Sequence, residues 1–319
     1  MNRMEPAFPA FSFACPVCRT TLEILTEDQL RCPTDQTIYF KEDGIWRLLT
    51  PERQAYFRRF MQEYQTVRQG EGRGSADPAY YRALPYVDHT GRFQQNWQIR
   101  SKSFQALIRR VLVPFESELG RPLKALDLGA GNGWLAYRLA QRRYQVAALD
   151  LLTNPQDGLG AAIHYESAFT PVQADFDNLP FTSCQVDLAI FNAALHYSTD
   201  YQRTLQETLR VLNERGLLVI LDTPVYHNPT SGARMVCERE AQFEKHYGFR
   251  SNALPSENFL TYHYLQALSV ELELDLQVIT PFYGLRWAAR PWLARLRGQR
   301  EPAKFLVIIG RQRPSGASL

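Results

Sequence analysis

Residues 125–140 read ALDLGAGNGWLAYRLA: an apolar run, three glycines at alternate positions, then apolar residues at helical spacing. The run predicts a buried strand and the pattern after it a helix, which places the glycines in the turn between them. Glycine at 129, 131 and 133 permits a tight turn, close approach of the backbone to a ligand, and close packing of the following helix. The spacing is Gly-x-Gly-x-Gly, not the Gly-x-Gly-x-x-Gly of a loop built around a dinucleotide pyrophosphate.

Outward from this turn, strand-like runs alternate with helical ones, the signature of a parallel sheet with helices on both faces and hence of an α/β fold. The expected strands are 123–128, 145–150, 171–175, 186–192, 216–222, 276–282 and 304–310. Helical spacing marks 134–143, 201–212 and 258–271. Residues 13–49 carry short alternating runs between turn residues and read as small antiparallel strands. The expected organisation is a small N-terminal β module (1–50), a helical linker and lid (51–122) broken by the loop QGEGRGSADP (69–78), and a main domain (123–319).

The composition sets bounds. Apolar residues make up 45% and charged residues 22% of the chain, enough for a packed core. With 36 basic and 33 acidic residues, the net charge of +3 is too small to argue for nucleic acid as a partner. No secretory pattern and no run of roughly 20 apolar residues is present, so the expectation is a cytoplasmic protein without a membrane span. Of the five cysteines, Cys15, Cys18 and Cys32 cluster, which suggests a metal site. Cys184 and Cys237 are read as packing residues.

The ends of the next strands describe a ligand. Asp150 closes the second strand about twenty residues after the glycines, where a carboxylate accepts both hydroxyls of a ribose. Asp175 and Phe176 close the third, an acceptor for an adenine amino group beside a ring that covers the base. Asp127 beside the turn repels phosphate and attracts an amino group. Together they call for an adenosine with a cationic, phosphate-free tail.

LDLGAGNG (126–133), Asp150, ADFDNLPF (174–181), DLAIFNAALHY (187–197) and LRVLNERGLLVILD (209–222) resemble, in order, the motifs of class I S-adenosylmethionine-dependent methyltransferases. The resemblance covers about residues 120–225 and implies that family's Rossmann-like seven-stranded sheet. It places Asp127, Gly129, Ala130, Gly131, Asn132 and Gly133 at the methionine part of S-adenosylmethionine. Asp150 and Leu151 fall at the ribose, Asp175 and Phe176 at the adenine edge, and Asn192 on the floor beside the sulfonium. Methyl transfer is an in-line displacement, so positioning carries most of the catalysis. His196 and Tyr197, just past the fourth strand, are the expected catalytic pair. Tyr226, His227 and Arg234, after the fifth, are the expected substrate contacts. An N-terminal segment often closes over the cofactor in this family, and residues 80–100 offer Tyr86, Trp97 and Arg100 for that.

Cys15-x-x-Cys18, Cys32 and Asp35 resemble a zinc ribbon in which a carboxylate stands in place of the fourth cysteine; zinc and a metal-free ribbon held by Ile24, Leu30, Ile38, Tyr39, Phe40 and Trp46 are both open. A ribbon before a methyltransferase resembles ribosomal-RNA guanine methyltransferases, except that Gln36 replaces that family's histidine. It also resembles, through DGIWRLL (43–49), the small zinc-ribbon partners of methyltransferases. The stretch 284–300 interleaves five arginines with Trp287 and Trp292, and Pro291 interrupts it. The leading expectation is methylation of a small molecule. RNA methylation and a catalytically silent cofactor-binding module are the alternatives. NAALHY (192–197) lacks the signature of adenine or glutamine-amide methylation.

Overall fold

In the computed structural model, residues 10–166 and 169–313 are described. The N-terminal part forms β1 (Glu23–Thr26), β2 (Gln29–Arg31), β3 (Ile38–Glu42) and β4 (Ile45–Arg47), followed by helices α1 (Pro51–Gly70), α2 (Pro78–Ala83), α3 (Gln94–Leu107) and α4 (Val113–Leu119). Then come β5 (Lys124–Leu128), α5 (Trp134–Gln141), β6 (Gln145–Asp150), β7 (Thr170–Gln173), β8 (Val186–Asn192), α6 (Tyr201–Val211) and β9 (Leu212–Leu221). The remainder is β10 (Val225–Tyr226), α7 (Pro229–Tyr247), β11 (Leu260–Thr261), α8 (Tyr262–Glu271), β12 (Leu274–Ile279), α9 (Leu285–Ala288), α10 (Arg290–Leu296) and β13 (Val307–Gln312).

The seven expected strands are present, in the order β7-β6-β5-β8-β9-β13-β12, with β5 to β9 parallel and β13 antiparallel to both neighbours. The chain runs outward from β5 to β7 and then returns to β8. The crevice at the carboxyl ends of β5, β6 and β8 is therefore where such sheets bind ligands. Every residue of β8 is buried, as expected of a strand covered on both faces.

The N-terminal module is not a separate body. β4 lies parallel to β7, with Trp46 opposite Val172 and Arg47 opposite Gln173, so that β1 to β4 continue the same sheet to eleven strands. Leu30, Tyr39 and Trp46 pack into the common core, whereas Ile24, Ile38 and Phe40, expected to pack there, face solvent. Cys184 and Cys237 are also exposed instead of packed.

α1 begins where Thr50 accepts from the Arg53 amide and Pro51 occupies the first turn. Phe57, Phe60, Tyr64 and Arg68 recur at helical spacing, so they share one face. That face lies over the crevice. Pro291 falls in the first turn of α10, which accounts for the break between α9 and α10. Among the described residues no helix is long and apolar enough to cross a membrane.

Candidate functional site

The crevice is a cleft with about 1030 Å³ of open space, its mouth included, roofed by α1 and floored by the strand ends. The glycine turn comes first. Gly129 has φ of 77°, and a Cβ there would run into Ala194, so only glycine permits this approach. Gly131 donates its amide to Asp150 Oδ2 at 2.8 Å, and Leu152 donates to Oδ1 at 2.8 Å. The turn and the end of β6 are thus held by one carboxylate.

Burial pushes the Asp150 carboxyl up to about 6, against the amides of Leu152 and Gly131 that favour the charged form. A ribose needs the ionised acceptor. The affinity for S-adenosylhomocysteine is therefore expected to rise with pH through about 6 and then level off, with pH 5.0 about tenfold weaker than pH 7.5 by titration calorimetry. A flat profile would remove Asp150 from ribose binding. Asp127, pushed up to about 7 by burial, changes in the same direction and steepens the rise.

Of the cofactor residues expected from sequence, Gly129, Ala130, Gly131, Asn132, Asp150, Leu151, Asp175, Phe176 and Asn192 line the cleft. Asn192 lines the cleft, and its Oδ1 is buried without a hydrogen-bond partner among the described residues. Two residues stand back. Asp127 is buried behind the turn, where its Oδ2 accepts from the Ala136 amide at 3.0 Å and its Oδ1 has no partner. Gly133 takes φ of 78° at the start of α5, close under Phe169. Both shape the turn from behind.

Asp175 reaches the cleft but is not a free acceptor. Arg53 of α1 donates to its Oδ2 at 2.9 Å and to its Oδ1 at 3.3 Å, Asn178 donates to both oxygens, and the Asp177 amide to Oδ1. These fill the roughly four lone-pair sites of a carboxylate. The carboxylate clamps α1 at the edge of the cleft. At the other end of α1, Arg68 pairs with Asp157. The roofing helix is pinned at both ends by arginine–aspartate pairs.

The expected catalytic pair separates. Tyr197 lines the cleft, its ring 5.7 Å from those of Phe60 and Tyr64. His196 lies behind it and does not line the cleft; burial, helped by the nearby Arg239 and Arg100 charges, pushes it down to about 3. A neutral imidazole with that pKa and no access is not a general base. The expected substrate residues also fall outside. Tyr226 is buried against Phe259, His227 stacks on Tyr262 with Nε2 2.9 Å from Lys304 Nζ, and Arg234 is exposed beside Glu238 and Arg290. The short β10 and β11 hold this loop away from the crevice.

Among the lining groups unassigned in the sequence are the α1 stripe, Asp157 and Leu254. The stripe was legible as Phe-x-x-Phe-x-x-x-Tyr-x-x-x-Arg (57–68); the other two show no local signal. Of the upstream aromatics, Trp97 packs edge-on against Trp134 and Tyr86 is exposed, whereas Arg100 does line the cleft.

The cysteine cluster is built from two matching turns. Arg19 donates its amide to Cys15 O at 2.9 Å and Gln36 to Cys32 O at 3.0 Å, and both Arg19 and Gln36 have positive φ. In this repeat Asp35 occupies the place of Cys18. The donor atoms of Cys15, Cys18, Cys32 and Asp35 all lie within 4.8 Å of one another, with Cys18 and Cys32 sulfurs 3.4 Å apart. Tetrahedral thiolates on zinc sit about 3.8 Å apart, so the set fits that ion. Arg19 then reaches across to Leu179 O at 3.2 Å and pairs with Glu207 at 2.5 Å.

Residues 126–220 match the family model described as a methyltransferase domain. A malonyl-[acyl-carrier protein] O-methyltransferase of Enterobacter lignolyticus is 30% identical over 140 residues, 44% of this chain and 50% of that protein. A 2-phytyl-1,4-naphtoquinone methyltransferase of Trichormus variabilis is 35% identical over 112 residues, 33% of this chain and 48% of that one. The chain spans about half the length of these curated relatives. Among solved structures, the Burkholderia thailandensis 1,6-didemethyltoxoflavin-N1-methyltransferase with bound S-adenosylhomocysteine aligns with a TM-score of 0.44 at 16% identity, over 92% of this chain and 99% of that one. With the glycine turn, the strand order and the family match in agreement, residues 126–220 belong to a class I S-adenosylmethionine-dependent methyltransferase domain.

Proposed function

We propose that the protein is a methyltransferase that moves a methyl group from S-adenosylmethionine to a small-molecule acceptor. The observation that carries this is a cleft at the switch point of the sheet whose lining matches an adenosine with an amino-acid tail. When bound, S-adenosylmethionine supplies an electrophilic methyl on a sulfonium. The residues present fit it: the glycine turn leaves room for close approach, Asn192 lines the cleft, and Asp150 offers a carboxylate. Phe176 and Leu151 give the base an apolar slot, and α1 roofs the cleft.

Arg100 completes the set. Its guanidinium packs over Trp97, 5.0 Å from the ring, and pairs with no carboxylate among the described residues; burial presses its pKa down. A cation in that state, in the same cleft as Gly131 and Asn132, is placed for the carboxylate of the amino-acid tail. Arg100→Gln is expected to weaken S-adenosylhomocysteine about tenfold to a hundredfold. It should leave 5′-methylthioadenosine, which lacks the tail, unchanged. Equal losses for both ligands would refute this assignment.

Catalysis on this reading is by alignment, with Tyr197 orienting the acceptor and no residue acting as a strong base. The direct test is transfer of labelled methyl from S-adenosylmethionine into a fractionated cell extract, with Asp150→Ala as the blank. Label in the low-molecular-weight fraction supports the reading. Label in the nuclease-sensitive fraction would favour RNA instead, and binding without transfer to any fraction a silent module.

A further inference from the structure

Beside the cofactor cleft is a second chamber that shares with it the walls Phe60, Tyr64, Arg68, Tyr197 and Leu254. Its far side is formed by α7 and the segment after it, through Arg239, Phe243, Ser251, Ser256 and Asn258. α7 is held against α1, where Tyr247 donates to the Val67 carbonyl at 3.5 Å. Tyr197, the one expected catalytic residue that the cleft retains, thus stands in the wall common to the two.

Its charge is not balanced. Arg68 is neutralised by Asp157, and Arg73 donates to Glu71 at 2.8 Å while stacking on Phe93. Arg239 has neither arrangement: its Nε is buried without a hydrogen-bond partner, and its guanidinium forms no ion pair with any described residue. Its charge reaches His196 behind Tyr197, adding to the burial that keeps that ring neutral. With Nε shut in, the two terminal nitrogens of this half-buried, unpaired guanidinium are the donors left for an anion, and side by side they match a carboxylate in two parallel hydrogen bonds. One free cation balances one negative charge, which favours a carboxylate over a phosphate dianion. The rings of Phe60, Tyr64 and Phe243 supply apolar and aromatic walls for the rest of the molecule.

We infer that this chamber is the acceptor pocket and that it takes a small, flat, apolar molecule bearing one carboxylate, which Arg239 holds so that the body points past Tyr197 toward the cleft. This rests on the methyltransferase reading. The anchor lies on α7, a few residues past the expected substrate residues, and lines the chamber they do not reach.

The test uses the full chain with saturating S-adenosylhomocysteine, whose own binding is measured first by calorimetry. Benzoate, cinnamate and 2-naphthoate are then compared with their amides and with phenyl phosphate by saturation-transfer NMR. The carboxylates are expected to bind and the amides not. Arg239→Gln should weaken the carboxylates about tenfold to a hundredfold, and Arg239→Lys, which keeps the charge but loses the fork, by less. Arg234→Gln, on the same helix but outside the chamber, should change nothing. Equal binding of amides, tighter binding of phenyl phosphate, or an unaffected Arg239→Gln would overturn the inference. The carboxylate-against-amide comparison needs no variant, so it decides even if Arg239→Gln does not fold. Failure to bind S-adenosylhomocysteine would take down the methyltransferase reading and this pocket with it; normal cofactor binding without carboxylate binding would take down the pocket alone.

Discussion

Replacing Asp150 with alanine is expected to lower the affinity for S-adenosylhomocysteine by at least about a hundredfold. Two losses combine. The carboxylate would no longer accept from a ribose, and hydrogen bonds to a charged group contribute about 1.5–3 kcal/mol each. The Gly131 and Leu152 amides, both held by the same carboxylate, would also lose their partner, so that the turn that must approach the ligand closely would relax. Asp150→Asn separates the two: it keeps the shape and one neutral acceptor, and about a tenfold loss is expected. Calorimetric titration of both variants decides. Unchanged affinity in Asp150→Ala would mean that the crevice does not bind the nucleoside in this orientation.

The second large effect is expected at the other end of the sheet. Cys32 is fully buried, and its thiol is pushed up to about 11 by that burial, while Cys18, held by the Thr20 hydroxyl, is lowered to about 7. A buried thiol cluster of this kind is satisfied when a cation takes its protons' place. Cys32→Ser should abolish bound zinc, measured by elemental analysis, and lower the unfolding midpoint by roughly 5–10 °C. Cofactor affinity should fall too, because Arg19, next to Cys18, holds the Leu179 end of the loop that carries Phe176. If the wild-type chain holds no zinc and chelation leaves its midpoint unchanged, the ribbon is held by packing alone.

What could be read from sequence divides along physical lines. β6 and β8 fall on their expected residues, because a strand buried on both faces must be apolar throughout and its ends must carry the polar groups that meet a ligand. The glycine turn and Asp150 were legible for the same reason: their chemistry is local. The ion pair of Asp175 was not legible, because its partner, Arg53, lies 122 residues away in sequence. The burial of His196 was not legible, because it depends on what packs over the ring and not on residue type. The loop after β9 is expected at the acceptor, but a two-residue pairing turns it aside, and α7 lines the chamber beside the cleft instead. No single stretch of sequence encodes where a helix two elements later will lie.

Because β4 occupies the flank of β7, the outer side of the parallel strands is already sealed by the chain's own first fifty residues. A strand with unpaired amides and carbonyls invites another chain to add to it. Here that invitation passes to β1, a four-residue strand exposed throughout and charged at Glu23, and to β12 at the far end. The sheet thus carries that cover within its own polypeptide, and among the described residues its two open margins are β1 and β12.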